Sequence, residues 1–276
     1  MARRIGAGAA GGHRKAVSAP GDQASKKKDG RLRIGTSGWN YGDWKGIFYP
    51  EDLRSKDYLA CYARHFSTTE VNYSFYHLPR PSTYLNWAVQ TPEGFVFAVK
   101  ASRVITHIRR LNEAEEEWSN FLTNTSELGE KLGPVLLQFP PSFKADGKRL
   151  RNFLALTARL ELPRPVALAF EFRHASWFDP EVCETLRRAK AALVVAQSER
   201  YPQAPAVPTA AFMYLRFHGP GQLFASSYSD EELREWSRRI RGWLAAGKDV
   251  YACFNNDFQG HAIANARTLE RMCTSG

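Results

Sequence analysis

Residues 166–177, VALAFEFRHASW, restrict the fold of this chain more than any other stretch. Side chains alternate across a strand, so Val166, Leu168, Phe170 and Phe172 share one face. Ala167, Ala169, Glu171 and Arg173 share the other. A surface strand would be polar along a whole face. Here one face is large and apolar throughout, while the other is narrow and becomes charged only at its C-terminal end. That pattern fits a stave of a closed parallel barrel, with helices packed outside and a polar mouth at the top. His174 and Trp177 follow directly and place further chemistry at the same rim.

The pattern repeats along the chain. Strand-like segments fall at 31–35, 68–76, 95–100, 135–139, 166–173, 193–197, 212–218 and 249–255. Helical spacing falls at 55–66, 81–90, 112–132, 147–160, 179–190, 229–246 and 260–272. Tyr58, Leu59, Tyr62 and Phe66 form the buried stripe of the first helix. Asp179 before Pro180 reads as a helix start. The segment 198–208 holds Pro202, Pro205 and Pro208 and predicts no full helix. Strands alternating with helices give a parallel sheet with right-handed crossovers. The expected fold is therefore α/β, a (β/α)8 TIM-like barrel with its sixth helix short or missing. An open doubly wound sheet is the alternative. Gly35-Thr-Ser-Gly38 after the first strand lacks the phosphate-turn spacing that such a sheet usually carries.

Composition sets the remaining bounds. The chain has 276 residues, 43% hydrophobic, which suffices for one large core. No apolar run approaches the roughly 20 residues of a membrane span, and residues 1–30 lack the apolar core of a signal peptide. A cytoplasmic protein with no membrane association is expected. Half of the net charge of +10 lies in 1–30, where seven Lys or Arg outweigh Asp22 and Asp29. That segment reads as a disordered basic tail, with 31–276 as a single barrel domain. Cys61, Cys183, Cys253 and Cys273 match no zinc spacing and suit a reducing compartment.

Several segments together resemble the YecE-like family. They are GTSGW at 35–39, FYP at 48–50, TTEVNYSFY at 68–76, FAVK at 97–100, TH at 106–107 and LLQFPPSF at 136–143. EFRHASW at 171–177, LRFHG at 215–219 and FNND at 254–257 complete the set. The resemblance runs from about Arg31 to Met272, in order. It implies a TIM-barrel domain of unknown function, and so supports the barrel without assigning an activity.

In a barrel, polar residues at the strand ends converge. Glu70, Asn72, Lys100, Gln138, Glu171, Arg173, His174, Gln197, Arg216, His218, Asn255, Asn256 and Asp257 all occupy such positions. Lys100, Arg173 and Arg216 suit an anion, most naturally a phosphate or carboxylate. Glu70 and Glu171 are the candidate acid/base pair, with His174 beside them, and a neighbouring cation favours the base role. Asn72, Gln138, His218, Asn255, Asn256, Asp257 and Trp39 complete the expected binding set. His218 precedes Gly219-Pro220-Gly221, and loops after strands seven and eight often hold phosphate in this fold. The bland alternative is an internal salt-bridge network that only ties the barrel together. No metal is expected, since the arginines oppose a cation near His174 and His218. No other cofactor is indicated.

The loop carrying Trp39, Tyr41, Trp44, Phe48 and Tyr49 reads either as a stacking platform or as an oily lid packed on the barrel, and the lid is favoured. The expected function is an enzyme, a hydrolase or lyase, acting on an anionic, phosphate-bearing substrate in the barrel mouth. A nucleic-acid-binding or processing protein is the first alternative, and a non-catalytic structural or interaction domain the second. Partners are thus a small anion or nucleic acid. The sequence does not set the oligomeric state.

Overall fold

The computed structural model describes residues 1–2, 8 and 29–275, so most of the expected basic tail lies outside the described residues. Nine parallel strand segments form one sheet that curls into a ring. In chain order they are β1 Leu32–Ser37, β2 Thr68–Val71, β3 Val96–Lys100, β4 Leu132–Gln138 and β5 Leu168–Glu171. The sixth stave, β6, comes in two pieces, Ala192–Leu193 and Val195–Gln197, and is followed by β7 Phe212–Phe217 and β8 Asp249–Phe254. The first piece of β6 pairs with β5 and the second with β7. β1 pairs with both β2 and β8. The ring therefore closes through the break at Val194, whose N–H still reaches the Phe170 carbonyl at 2.9 Å.

The longer helices are α3 Pro81–Gln90, α4 Glu115–Thr125, α5 Gly147–Arg159, α6 Pro180–Arg188, α7 Asp230–Ala245 and α8 His261–Thr274. Two short ones, α1 Tyr58–Tyr62 and α2 Tyr73–Tyr76, precede them. Their starts are chemically fixed. Asp146 and Asp179 accept from the backbone at the heads of α5 and α6, and Ser229 and Glu232 form a reciprocal capping box on α7. Residues 198–211 contain no helix, as the prolines require. Among the described residues, no helix is long and apolar enough to cross a membrane.

The alternation read in 166–177 has a physical outcome. Buried apolar residues separate into two clusters. Leu168, Phe170 and Phe172 belong to the larger one, between ring and helices. Ala98, Leu136, Ala169, Ala192, Val194, Tyr214 and Cys253 belong to the smaller one inside the ring. Cys253 is core filling, fully buried with its Sγ 3.7 Å from the Tyr214 hydroxyl.

Two strand boundaries differ from expectation. β2 stops at Val71, and 73–76 form α2 with Asn72 at its N-terminus, so TTEVNYSFY is half strand and half helical turn. β5 stops at Glu171, which leaves Arg173 and His174 in the loop beyond it. β5 ends on its inward carboxylate, Glu171, and β2 ends one residue past its own, Glu70. The long helix expected over 112–132 is α4 followed by a 3-10 segment, Ser126–Lys131, broken at Gly129 with φ 56°.

Candidate functional site

The inward register of each stave sets which side chains reach the mouth. Glu70 lies beside Ser37 in the β1–β2 register, and Glu171 beside Gln138 in the β4–β5 register. Arg216 lies one inward step above Tyr214 on β7. These residues meet at the C-terminal end of the ring. Arg216 donates from Nε and Nη2 to the two Glu70 oxygens at 2.9 and 2.6 Å. Its Nη1 donates to Glu171 Oε2 at 2.6 Å. Arg173 Nε donates to the other Glu171 oxygen at 2.9 Å. Ser37 Oγ and the Tyr214 hydroxyl complete the Glu70 shell at 2.9 and 2.8 Å. Glu70, Glu171 and Arg216 are at most 1% exposed.

Each carboxylate oxygen thus holds a guanidinium N–H, and Glu70 accepts four hydrogen bonds in all. Burial alone would raise the Glu171 carboxyl, but Arg216 and Arg173, with His218 and Lys100, hold it well below the usual carboxylate range. Burial opposes the Arg216 charge, and Glu70 and Glu171 overcome it, so its pKa is raised. Such a carboxylate is a poor base, because protonation must first break two charge-assisted bonds.

Around this saturated centre sit groups with capacity to spare. Lys100 ends β3, part-exposed, with its Nζ 4.1 Å from the centre of the Phe75 ring. Among the described residues no hydrogen bond or ion pair engages that nitrogen. Burial lowers its pKa to about 7, with Arg216 and Arg173 acting in the same direction against Glu171 and Glu70. His218 is 1% exposed, and its Nε2 has no partner. The Asn255 amide lies 3.1 Å from His218 Nδ1, so Nδ1 accepts and the proton resides on Nε2. Burial, then Arg216, pushes its pKa down to about 3, so the ring is neutral over the ordinary pH range. Arg173 keeps its two terminal nitrogens outside the Glu171 bond, and its guanidinium stacks 4.4 Å from the Tyr201 ring.

The other expected residues divide. Gln138 is buried, with its amide donating to the Phe139 carbonyl at 2.8 Å. Gln197 accepts from the Tyr228 hydroxyl. Asn256 is fully buried and ties loops together through the Ser226 carbonyl and Asn265, both at 2.9 Å. The Asp257 carbonyl accepts from the Trp44 indole at 3.0 Å, and burial raises its carboxyl. His174 turns to Ser176, with its Nδ1 2.9 Å from Oγ, and no hydrogen bond ties it to the carboxylate centre. The aromatic loop divides too: Trp44 and Tyr49 are buried as a lid, whereas Trp39 and Tyr41 line a cavity.

That cavity, about 810 Å³, adjoins the charged centre. It shares Ser37 with the centre and is walled by Trp39, Trp87, Tyr73 and Asn72, with exposed Lys56 and Arg80 at its edge. Trp39 packs edge-on against Trp87 at 5.3 Å, and Asn72 Oδ1 is buried without a partner.

Three contributors escape a reading of strand-end charges. Ser37 and Tyr214 are found only by following the inward register of β1 and β7. His107 follows β3, packs edge-on against Phe75 at 4.9 Å, and is pushed down to about 4 by burial, with Lys100 and Arg173 next. Among the described residues, no group of three or more His, Cys, Asp or Glu is arranged to hold a metal ion.

The family described as "Protein of unknown function DUF72" matches residues 33–276. The chain is 30% identical over 268 residues to UPF0759 protein YunF of Bacillus subtilis, covering 86% of this chain and 93% of that one. It is 32% identical over 148 residues to UPF0759 protein YecE of Escherichia coli, covering 53% of this chain and 50% of that one. A crystal structure of a DUF72 family protein from Thermotoga maritima superposes with a TM-score of 0.77 at 31% identity, covering 88% of this chain and 98% of that one. A second, from Enterococcus faecalis, shares the fold at a TM-score of 0.74 and 22% identity, covering 88% and 95%. Matched over nearly all of its barrel, the chain belongs to the DUF72 family, the YecE-like proteins.

Proposed function

We propose that this chain is an enzyme of the hydrolase or lyase class whose anionic, phosphate-bearing substrate sits in the C-terminal mouth of the barrel. One observation carries the proposal. Beside a centre in which every Arg216 nitrogen meets a carboxylate, the buried His218 Nε2 has no hydrogen-bond partner among the described residues, and no hydrogen bond or ion pair there engages Lys100 Nζ. A network that only braced the barrel would engage His218, because an unmet buried donor costs about 1–3 kcal/mol. Their spare capacity suits a ligand.

In this reading Arg173, with Lys100, holds the anion, and the neutral His218 donates Nε2–H to a substrate oxygen. Glu70 and Glu171 fix Arg216 and set the field, rather than moving protons themselves. A second reading, nucleic-acid binding, draws on the neighbouring cavity, where Trp39 and Tyr73 offer ring faces and Lys56 and Arg80 offer phosphate contacts.

Calorimetric titration with inorganic phosphate and a panel of phosphorylated metabolites separates the two, run beside single- and double-stranded oligonucleotides at 50 and 200 mM salt. Saturable phosphate binding that weakens in Arg173→Ala is the expected result. Oligonucleotide binding with a steep salt dependence, and none of free phosphate, favours the second reading.

A further inference from the structure

The cavity that adjoins the mouth has one wall on α1 and another on α3. α1 has five residues, against nine to sixteen in α3–α8. Opposite this short helix, a whole flank of α3 stays open. Thr83, Asn86, Trp87 and Gln90, spaced i, i+3, i+4 and i+7, all line the cavity. Trp39, from the loop after β1, meets the Trp87 ring at 5.3 Å and 86°. Two indoles at right angles make a corner, in which a flat ring stacks on one and meets the other edge-on. Tyr73 adds an exposed ring at the rim. Asn72, just past β2, lines the same space, and its Oδ1 is buried with no partner among the described residues. A buried acceptor in that state is destabilising until a ligand donates to it. Lys56 and Arg80 stand exposed at the edge. No Asp or Glu among the described residues lines the cavity, so its charge is positive.

We propose that this cavity binds a nucleoside monophosphate, with its base in the indole corner and its phosphate held by Lys56 and Arg80. The volume of about 810 Å³ falls within the roughly 300–1,000 Å³ of small-molecule sites. Each of the common bases carries an N–H that Asn72 Oδ1 can accept. Inorganic phosphate would leave the corner empty, and a neutral sugar would leave the two cations unmet. A nucleic-acid strand needs a basic groove that tracks its backbone, whereas the cations here stand only at the edge. The site is separate from the anion site read in the mouth, because Lys100, Arg173 and His218 do not line it.

The test is calorimetric titration of the full chain with AMP, GMP, CMP and UMP, each beside its free nucleoside, and with ribose 5-phosphate and a short single-stranded DNA. At least one nucleotide is expected to bind about tenfold tighter than ribose 5-phosphate, which lacks the base. The double variant Lys56→Ala/Arg80→Ala, changed only at exposed positions, should weaken that nucleotide about tenfold and leave its nucleoside unchanged. Asn72→Ala should weaken nucleotide and nucleoside alike, and a thermal midpoint near that of the wild type checks that each variant is folded. No nucleotide binding at about 1 mM overturns the proposal, as does binding no tighter than that of ribose 5-phosphate. Binding that Arg173→Ala abolishes and the double variant leaves intact moves the ligand to the mouth and overturns it too. Tighter binding of the DNA strand, falling steeply with salt, overturns the single nucleotide in favour of a strand.

Discussion

Arg216 holds Glu70 through two parallel hydrogen bonds, at 2.9 and 2.6 Å, from the far side of the barrel mouth. β2 and β7 are not neighbours in the ring, so this pair is a strut across its axis. The third bond, to Glu171 on β5, makes Arg216 the hub of three staves. A fork of donors is required for this, and lysine cannot replace it.

Removing that hub is therefore costly. Arg216→Met leaves the buried Glu70 without a cation and Glu171 with Arg173 alone, and unfolding by urea should show a loss of about 3–5 kcal/mol. Adding Glu70→Gln to the same chain removes the stranded charge and should recover part of the loss. Additive losses in the two single variants and the double would mean that the residues do not interact.

Acid should weaken the fold before any carboxylate protonates. His218 and His107 are held down at about 3 and about 4, against an ordinary 6.5. Below pH 6.5 the unfolded chain therefore binds protons that the folded chain refuses, and stability falls as pH falls. His218 alone sets a slope of about 1.4 kcal/mol per pH unit between 6 and 4. Glu171, with its depressed carboxyl, adds to the loss below its ordinary 4.5. The urea midpoint of His218→Gln, followed from pH 7 to 4.5, should decline less steeply than that of the wild type. Parallel declines would place the His218 proton elsewhere.

The barrel was legible because its staves alternate strictly: Ala167, Ala169 and Glu171 inward, Leu168 and Phe170 outward. The convergence of Glu70, Lys100, Glu171 and Arg216 followed from that register. The pairing inside the mouth did not. Which carboxylate takes which guanidinium nitrogen depends on distances across the axis, between staves far apart in sequence. For the same reason no pattern distinguished Arg216, each of whose nitrogens meets a carboxylate, from Lys100, whose nitrogen meets none. Asn256 looked like a mouth residue by position, but its amide turned to Asn265 on α8, a contact with no local signature. The end of β2 was missed because Asn72–Tyr76 alternates like a strand while its backbone turns helical.

The seam between β1 and β2 makes its own prediction. A Cβ at Gly35 would stand 2.0 Å from the Thr68 carbonyl oxygen and 2.9 Å from the Tyr62 hydroxyl. Neither neighbour can yield easily, since that hydroxyl also meets the Thr36 N–H at 2.8 Å and the Thr68 carbonyl accepts from it at 3.1 Å. Gly35→Ala should cost at least the ~1–3 kcal/mol of an overpacked core, read as a lowered thermal midpoint. Gly42→Ala, with open space around its Cβ, is the matched control and should stay near wild type.

Lys100 should announce itself in the alkaline range. Its pKa is about 7 in the folded chain, against an ordinary 10.5, chiefly through burial and then through Arg216 and Arg173. Between those values the unfolded lysine is charged and the folded one is neutral. Unfolding at pH 8.5 should therefore take up about one proton at this side chain, and its contribution to stability should rise with pH across the same window. Because Lys100 is part-exposed, water screens the energy more than the proton count, so the count is the better measure. Calorimetric unfolding at pH 8.5 in buffers of different ionisation enthalpy supplies it. The uptake in wild type should exceed that in Lys100→Met by nearly one proton. Equal uptake would show that Lys100 titrates as an ordinary surface lysine, still charged at neutral pH.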